Sequence, residues 1–414
     1  MEEKNSEKKE RKMRDSGIPW IGEVSEGWEF SKIKYHCTMK SGDNITALDI
    51  SDNGEYPVYG GNGLRGFYKI YNKNGNHILI GRQGALAGNV HLVNGKFWAT
   101  DHAVIVTLKN DVFINYFFRM LESMNLNQYA FDTAAQPGLS VSRIMNLNIV
   151  LPNLKEQHRI ADFLGSKCSE IDTLIENLRA RMESAKEYKK AVITEAVTKG
   201  LDKDAKMKDS GVEWIGEIPE GWKVVRFKHI ASIKSNLVQP DKYMKYPQIA
   251  PDNIEKDTGR LLSHQTVEES GVISGNHLFY RGQILYSKIR PNLNKLTVAP
   301  FDGLCSADMY PIESKLPTLF MVYSMLSTYF VSQVSLIIQD RVKMPKINQE
   351  ELGEIKVAVP SQQEMLTIAD YLDSKCSEID ALLQNYEYQI ATLEEYKKSL
   401  IYEYVTGKKE VPEA

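Results

Sequence analysis

IADFLGSKCSEIDTLI, from Ile160 to Ile175, returns as IADYLDSKCSEIDALL, from Ile368 to Leu383, with twelve of sixteen positions identical. Around the first copy, Leu164, Ile171, Leu178, Ala185 and Val192 fall seven apart, interleaved with Cys168, Ile175, Met182, Lys189 and Ala196. Around the second, Leu372, Ile379, Tyr386, Leu393 and Leu400 alternate in the same way with Cys376, Leu383, Ile390, Lys397 and Tyr404. Two apolar sets at 3.5-residue spacing predict a coiled-coil seam, and neither stretch contains proline. Helices are expected over about residues 155–199 and 363–406, each roughly 60 Å long at 1.5 Å per residue. Both seams break at one point, Lys189 and Lys397 within a shared EYKK. A buried lysine is costly, so the side chain should snorkel to water or the helices should diverge there. Cys168 and Cys376 read as small core residues. Matching seams in one chain predict that the helices pair with each other. A two-fold relation between the halves makes the pair antiparallel.

Outward from the helices, the duplication continues. MRDSGIPWIGEVSEGW (Met13–Trp28) returns as MKDSGVEWIGEIPEGW (Met207–Trp222), with eleven of sixteen positions identical. The first block repeats after 194 residues and the second after 208, so the segment between them is 14 residues longer in the second half. Repeats of solenoids are far shorter, so this is a two-fold duplication. The middle segments, Met39 to about Asn148 and Ser232 to about Lys356, share a pattern more than a sequence. HILIG (His77–Gly81), NVHLV (Asn89–Val93) and AVIVTLK (Ala103–Lys109) read as strands, followed by a helix at Val112–Met124. QILYSK (Gln283–Lys288), LTVA (Leu296–Ala299) and DMYPI (Asp308–Ile312) precede a helix near Thr318–Val334. IVLP (Ile149–Pro152) and VAVP (Val357–Pro360) mark strand ends before the long helices. The fold class is α+β: two globular strand-rich domains, each followed by a long helix, in an internal pseudo-two-fold duplication. The segments are a disordered tail (1–12), a first domain (13–152), helix and linker (153–206), a second domain (207–360), a second helix (361–408) and a tail (409–414).

Each middle segment carries a cluster suited to base and phosphate contacts. In the first these are YGGNGLRG (Tyr59–Gly66), with Asn62 and Arg65, GRQG (Gly81–Gly84), with Arg82 and Gln83, and QPGLS (Gln136–Ser140), with Gln136. In the second, YSKIRPNLNK (Tyr286–Lys295) supplies Ser287, Lys288, Arg290, Asn292 and Asn294. MPKIN (Met344–Asn348), aligned with QPGLS, adds Lys346, preceded by Arg341 and Lys343. Glycine allows close backbone approach, and Arg, Gln and Asn make the bidentate contacts that distinguish bases in the major groove. A solvated polar turn explains each cluster singly. Their equivalent placement in two divergent segments points to two recognition specificities on one scaffold. Trp20, Trp28, Trp214 and Trp222 read as packing anchors.

Composition leaves the partner open. A net charge of −3 and pI near 6.3 show only that the chain is not coated in Lys and Arg. No apolar run is long enough for a bilayer, and MEEKNSEKKERK lacks a signal-peptide core, so a cytoplasmic protein without membrane association is expected. Cys37, Cys168, Cys305 and Cys376 form no CxxC pairs, so free thiols are expected and no metal. No P-loop, amino-methyltransferase tetrapeptide, HExxH or triad spacing stands out. A nuclease pattern drawn from Pro251–Asp252 and Glu313–Lys315 is too widely spaced to carry weight. No catalytic residues are expected.

DSGIPWIGEVSEGW with its copy DSGVEWIGEIPEGW, and LPNLKEQHRIADFLGSKCSEID with VPSQQEMLTIADYLDSKCSEID, resemble the specificity subunit of type I restriction–modification systems. With the two-half layout the resemblance covers Met13 to Gly407. It implies a non-catalytic subunit for host defence whose two target-recognition domains each read half of a bipartite site in double-stranded DNA. It implies that the helical pair sets the gap and docks two methyltransferase (M) subunits, with motor/nuclease (R) subunits completing the complex. No cofactor is implied in this chain; S-adenosylmethionine, ATP and Mg belong to the partners. A coiled-coil scaffold and a stand-alone DNA-modifying enzyme are the alternatives.

Overall fold

The computed structural model describes residues 12–84, 87–129, 138–341 and 343–412. These fall into two compact units, one drawn from Met1–Asn177 and Tyr388–Ala414, the other from Leu178–Glu387. The units cut across the segments expected from sequence. Each combines a globular domain with half of each long helix, because the apolar stripe of one helix is completed by the other.

The long helices run Leu154–Lys199 and Gln362–Val405, within one residue of the expected ends. Within the first unit, Phe163 packs its ring on Tyr404 and Asp172 pairs with Lys397, so the helices run antiparallel. Within the second unit, Lys189 pairs with Asp380 in the same sense. Leu164, Cys168, Ile171, Leu178, Leu372, Cys376 and Ile379 are buried at the seam, and Leu393 is half-buried. The seam lysines resolve differently from the expectation. Lys189 stays 8% exposed, and its ammonium donates to both carboxylate oxygens of Asp380 at 2.7 Å. Lys397 does the same to Asp172 at 2.7 Å. A facing carboxylate replaces water, so neither snorkelling nor divergence is needed.

In the first unit a four-stranded antiparallel sheet runs in the order Cys37–Ser41, Ala103–Leu108, His77–Gly81, Val90–Val93. A second sheet orders Gly63–Tyr68, Tyr56–Gly60, Lys96–Ala99, Lys73–Asn74, with one parallel step between Tyr56–Gly60 and Lys96–Ala99. Between the first sheet and the helices lies the core, where Ile78, Ile80, Val104, Tyr116, Phe117, Leu164 and Val405 are buried. The Tyr116 hydroxyl donates to the Val405 carbonyl at 3.0 Å, tying the domain to the end of the second helix.

The second unit repeats the plan. One sheet runs Ala231–Ile233, Met309–Ser314, Ile284–Ser287, Leu296–Val298. The other runs Gln265–Thr266, Pro247–Ile249, Gly303–Cys305, Asn276–Phe279, with Leu237–Val238 as an added edge. Its parallel step, Pro247–Ile249 beside Gly303–Cys305, stands where the first unit has its own. The helix expected near Thr318–Val334 is two, Thr318–Leu326 and Thr328–Ile338, bent by 59°. Ser327 takes an extended conformation between them while its hydroxyl holds the Ser324 carbonyl at 2.6 Å.

The Trp motifs form hairpins, Met13–Asp15 with Glu23–Ser25 and Met207–Asp209 with Glu217–Pro219. Trp28 and Trp222 are 3% and 2% exposed and anchor the two cores, whereas Trp214 is 42% exposed and Trp20 is half-buried. The indole N–H of Trp222 donates to Glu364 at 3.0 Å. No single helix among the described residues is long and apolar enough to cross a membrane.

Candidate nucleic-acid interface

In the first domain, the strand His77–Gly81 ends at Arg82, and three other loops converge there. The Arg82 N–H donates to the His102 carbonyl at 2.9 Å, and its own carbonyl accepts from Leu139 N–H at 2.9 Å. Gln83 bridges to Gly138. Gly61, in the turn between Tyr56–Gly60 and Gly63–Tyr68, sits so close that a Cβ there would lie 3.2 Å from the His102 carbonyl and 3.4 Å from that of Gln83. This is the close approach for which glycine is needed. Arg82 is half-buried, and its guanidinium donates to the Ser41 hydroxyl at 3.2 Å. Asn62, Arg65 and Gln83 are exposed on the surface of this junction. Gln136 lies outside the described residues.

The second domain builds the same junction from different side chains. The Lys288 N–H donates to the Asp308 carbonyl at 3.0 Å, and the Lys288 carbonyl accepts from Ile347 N–H at 3.0 Å. Ile289 bridges to Lys346, and Arg290 N–H donates to the Pro345 carbonyl at 2.8 Å. Arg82 thus corresponds to Lys288, Gln83 to Ile289, Gly138 to Lys346 and His102 to Asp308. QPGLS and MPKIN end alike, in Ser140 and Asn348, each capping a short helix through its side chain. The Lys288 ammonium lies 5.3 Å from the centroid of the Tyr310 ring, a cation–π contact that leaves it at the surface of the junction. The Lys346 ammonium donates to Asp308 at 3.3 Å.

Not every residue expected from sequence faces outward. Ser287 is 2% exposed, and its hydroxyl donates to the Ile289 carbonyl at 3.0 Å. Asn294 is 1% exposed, and its amide donates to the Met325 carbonyl at 3.1 Å. Both hold the loop together from inside, so neither is placed to touch a base. Arg341 is exposed but engaged: its guanidinium donates to the Glu351 carboxylate and the Lys346 carbonyl, bracing the loop. The hydrogen bonds from Arg341 hold the Glu351 carboxyl below its usual range. Arg290, Asn292, Lys343 and Lys346 remain exposed, and Arg290 adopts the left-handed conformation at φ 44° that turns the chain sharply.

Sequence reasoning missed His102 and Asp308, which supply the carbonyls that seat Arg82 and Lys288. The available signal was that each directly precedes an apolar strand run at the same distance from its partner. It also missed His277, 7% exposed on the strand Asn276–Phe279, whose Nδ1 has no hydrogen-bond partner among the described residues.

Elsewhere, Ser31 Oγ lies 2.6 Å from His36 Nε2, and His36 Nδ1 lies 2.7 Å from Asp111. This Ser–His–Asp chain was not legible from spacing. Ser31 sits within the strand Glu29–Lys32 rather than on the strand-to-helix turn that exposes a nucleophile, and Val225 and Ile230 take the corresponding places in the second half. We read the chain of bonds as a tie across a corner of the domain. Among the described residues no three His, Cys, Asp or Glu side chains group as metal ligands. The four cysteines are free and buried. Burial pushes the Cys37 thiol up to about 12 and Cys376 up to about 11, which keeps both unreactive.

Residues 25–184 match the family model described as a type I restriction modification DNA specificity domain. The chain is 34% identical over 267 residues to the type I restriction enzyme EcoDI specificity subunit of Escherichia coli, covering 60% of each. It is 41% identical over 152 residues to the EcoprrI specificity subunit of Escherichia coli, covering 36% of this chain and 38% of that one. Both matches span less than two thirds of those relatives. Against the MjaVIII specificity subunit of Methanocaldococcus jannaschii, 27% identity extends over 93% of both chains. A chain from a structure concerned with complex assembly and conformational transition of the type I R-M system shares the fold, with a TM-score of 0.65 at 15% identity over 93% of this chain and 99% of that one. Residues 25–184 thus carry a type I restriction modification DNA specificity domain, and over most of its length the chain is similar to type I restriction enzyme specificity subunits.

Proposed function

We propose that each globular domain reads one half of a bipartite site in double-stranded DNA, and that the helical pair sets the gap between the halves. The observation that carries this reading is the pair of equivalent junctions. One backbone arrangement presents Arg82, Gln83 and Gly138 in the first domain, and Lys288, Ile289 and Lys346 in the second. Side chains that differ on a shared frame are what two different half-sites require, since base edges are distinguished by donor and acceptor pattern. Asn62, Arg65, Arg82 and Gln83 act in the first domain. Lys288, Arg290, Asn292, Lys343 and Lys346 act in the second, with lysines contributing phosphate contacts that position without specifying.

The chain has no catalytic role in this reading. Two methyltransferase (M) subunits dock on the helical regions and methylate adenine with S-adenosylmethionine, and motor/nuclease (R) subunits use ATP and Mg. The complex works in the cytoplasm. Because the chain's net charge is −3, much of the phosphate neutralisation comes from partners, so the isolated chain binds DNA weakly.

The test is single-molecule sequencing of DNA from a host co-expressing this chain with its neighbouring methyltransferase subunit. The expected result is modified adenine in a bipartite motif with a fixed gap, lost when this chain is omitted. Modification that persists without the chain would overturn the proposal.

A further inference from the structure

The apolar seam repeats every seven residues, so it is satisfied equally well if one helix slides by a heptad along the other. Something else must choose the register. We propose that the two cross-helix pairs, Lys189–Asp380 and Lys397–Asp172, are the residues that fix the register and direction of the helical pair. This rests on the spacing role proposed above only for its consequence, the length of the gap.

The pairs are images of each other. Asp172 and Asp380 are the same position of the duplicated SEID, and Lys189 and Lys397 the same position of EYKK. Each helix therefore carries one acid and one base at equal separation. In the observed antiparallel arrangement each lysine meets the other helix's aspartate, with both oxygens at 2.7 Å. In a parallel arrangement with the duplicated blocks abreast, Asp172 would face Asp380 and Lys189 would face Lys397, placing like charges together. A heptad slip in the antiparallel sense is also penalised. In one direction Lys397 would come opposite Gly165 while Lys189 met Asp373, and in the other Lys397 would face Arg179 while Lys189 met Glu387. Either slip therefore leaves Lys397 without an acceptor, and only the observed register gives both lysines a carboxylate.

The lysines' surroundings give the choice its force. The Lys189 side chain is 11% exposed and that of Lys397 21%, while the aspartates are about half exposed. Each ammonium is thus withdrawn from water and depends on its one carboxylate, whereas each aspartate can still be hydrated. An unpaired charge at such a position costs far more than a well-made pair contributes. A single polar seam position that penalises every register but one is the best-attested use of such a group. Flanking charges on the same helices, such as Lys186 with Glu183 and Lys375 with Glu378, pair within a helix and are indifferent to register.

The test uses the full chain with spin labels at Thr173→Cys and Glu395→Cys, exposed positions on facing helices of the first unit. The native chain should give one narrow distance. Lys189→Asp with Lys397→Asp, which sets acid against acid in both pairs, should abolish that single distance, since a heptad slip displaces the helices by roughly 10 Å. Adding Asp172→Lys and Asp380→Lys restores opposite charges in swapped order and should restore the distance. A reversed chain that keeps the narrow native distance overturns the proposal. So does a fourfold variant that fails to regain it, and this arm covers the case in which the reversed chain does not fold. The gap in the modified DNA motif, read in the same variants, tests the spacing role separately. A gap unmoved when the distance has changed removes that role and leaves the register assignment standing.

Discussion

In the first domain the hairpin between Tyr56–Gly60 and Gly63–Tyr68 closes through Gly61 and Asn62. In the second, the corresponding strands Pro247–Ile249 and Gln265–Thr266 are separated by residues 250–264. That excursion accounts for most of the extra length of the second half. It turns at Asp257, φ 62°, and Gly259, φ 76°, and Asp257 forms an ion pair at 3.6 Å with Lys190 of the first long helix. The sheets behind the two hairpins keep one order and one parallel step. The comparison separates what the duplicated domain preserves from what it is free to vary. Backbone bonds that seat the junction are preserved, whereas hairpin length and the side chains on the rim are not.

The largest test of that separation is exchange of residues 39–148 for the corresponding segment of a type I specificity subunit with a different target. One half of the modified motif should be replaced entirely, with the other half unchanged by sequencing; alteration of both would break the independence of the two domains. Next come the anchors. Trp28→Ala and Trp222→Ala should each cost about 3–5 kcal/mol in denaturant unfolding, because each removes a buried indole from its core. A large loss for only one would show that the halves are not equivalent in stability.

Smaller effects sharpen the comparison at the junctions. Arg82→Ala and Lys288→Ala should each weaken discrimination in one half-site by about 1–3 kcal/mol, read as relaxed sequence in that half alone. Asn294→Ala should instead lower stability by about 1–3 kcal/mol, through the unmet Met325 carbonyl, and leave the motif intact. A motif changed by Asn294→Ala would return that residue to the reading surface.

The smallest expected effect is on pH dependence. Burial lowers the pKa of His91 in the first domain, opposed by Glu122; burial lowers that of His277 in the second, reinforced by Lys288. For a histidine lowered in the folded state, the unfolded chain binds the proton first. The contribution to stability is therefore complete above the unfolded value of about 6.5 and declines as pH falls below it. His277→Gln should flatten the acid side of the stability profile. Lys288→Met should flatten it less, and no change with His277→Gln would remove His277 as a source of acid sensitivity.

The long helices were legible almost to the residue because their signal is long, periodic and free of proline. Strands such as His77–Gly81, Ala103–Leu108 and Ile284–Ser287 were legible as apolar runs. The second sheet of each domain was not. Lys73–Asn74 and Gln265–Thr266 are two-residue polar strands with no alternation to detect, held in place by neighbours distant in sequence. The alignment of QPGLS with MPKIN could be made from position alone, and the bonds from Leu139 and Ile347 show why it holds. Ser287 and Asn294 misled because residue type does not reveal which face of a tight loop a side chain takes. The seam lysines were recognised as a problem, but their solution lay on the other helix, beyond the reach of local pattern.

The first unit is discontinuous, whereas the second is a single run from Leu178 to Glu387. Leu400, Ile401, Tyr404 and Val405 belong to the core built around the N-terminal domain. A ribosome therefore delivers every residue of the second unit before the first can close its core, and the domain made earliest is the one completed last. Usual vectorial folding, in which the N-terminal domain finishes first, is reversed in this chain. During the interval the exposed faces around Tyr116 and Leu164 are open to nascent-chain chaperones, and a stop codon anywhere before the last turns of the second helix would damage the opposite end of the protein.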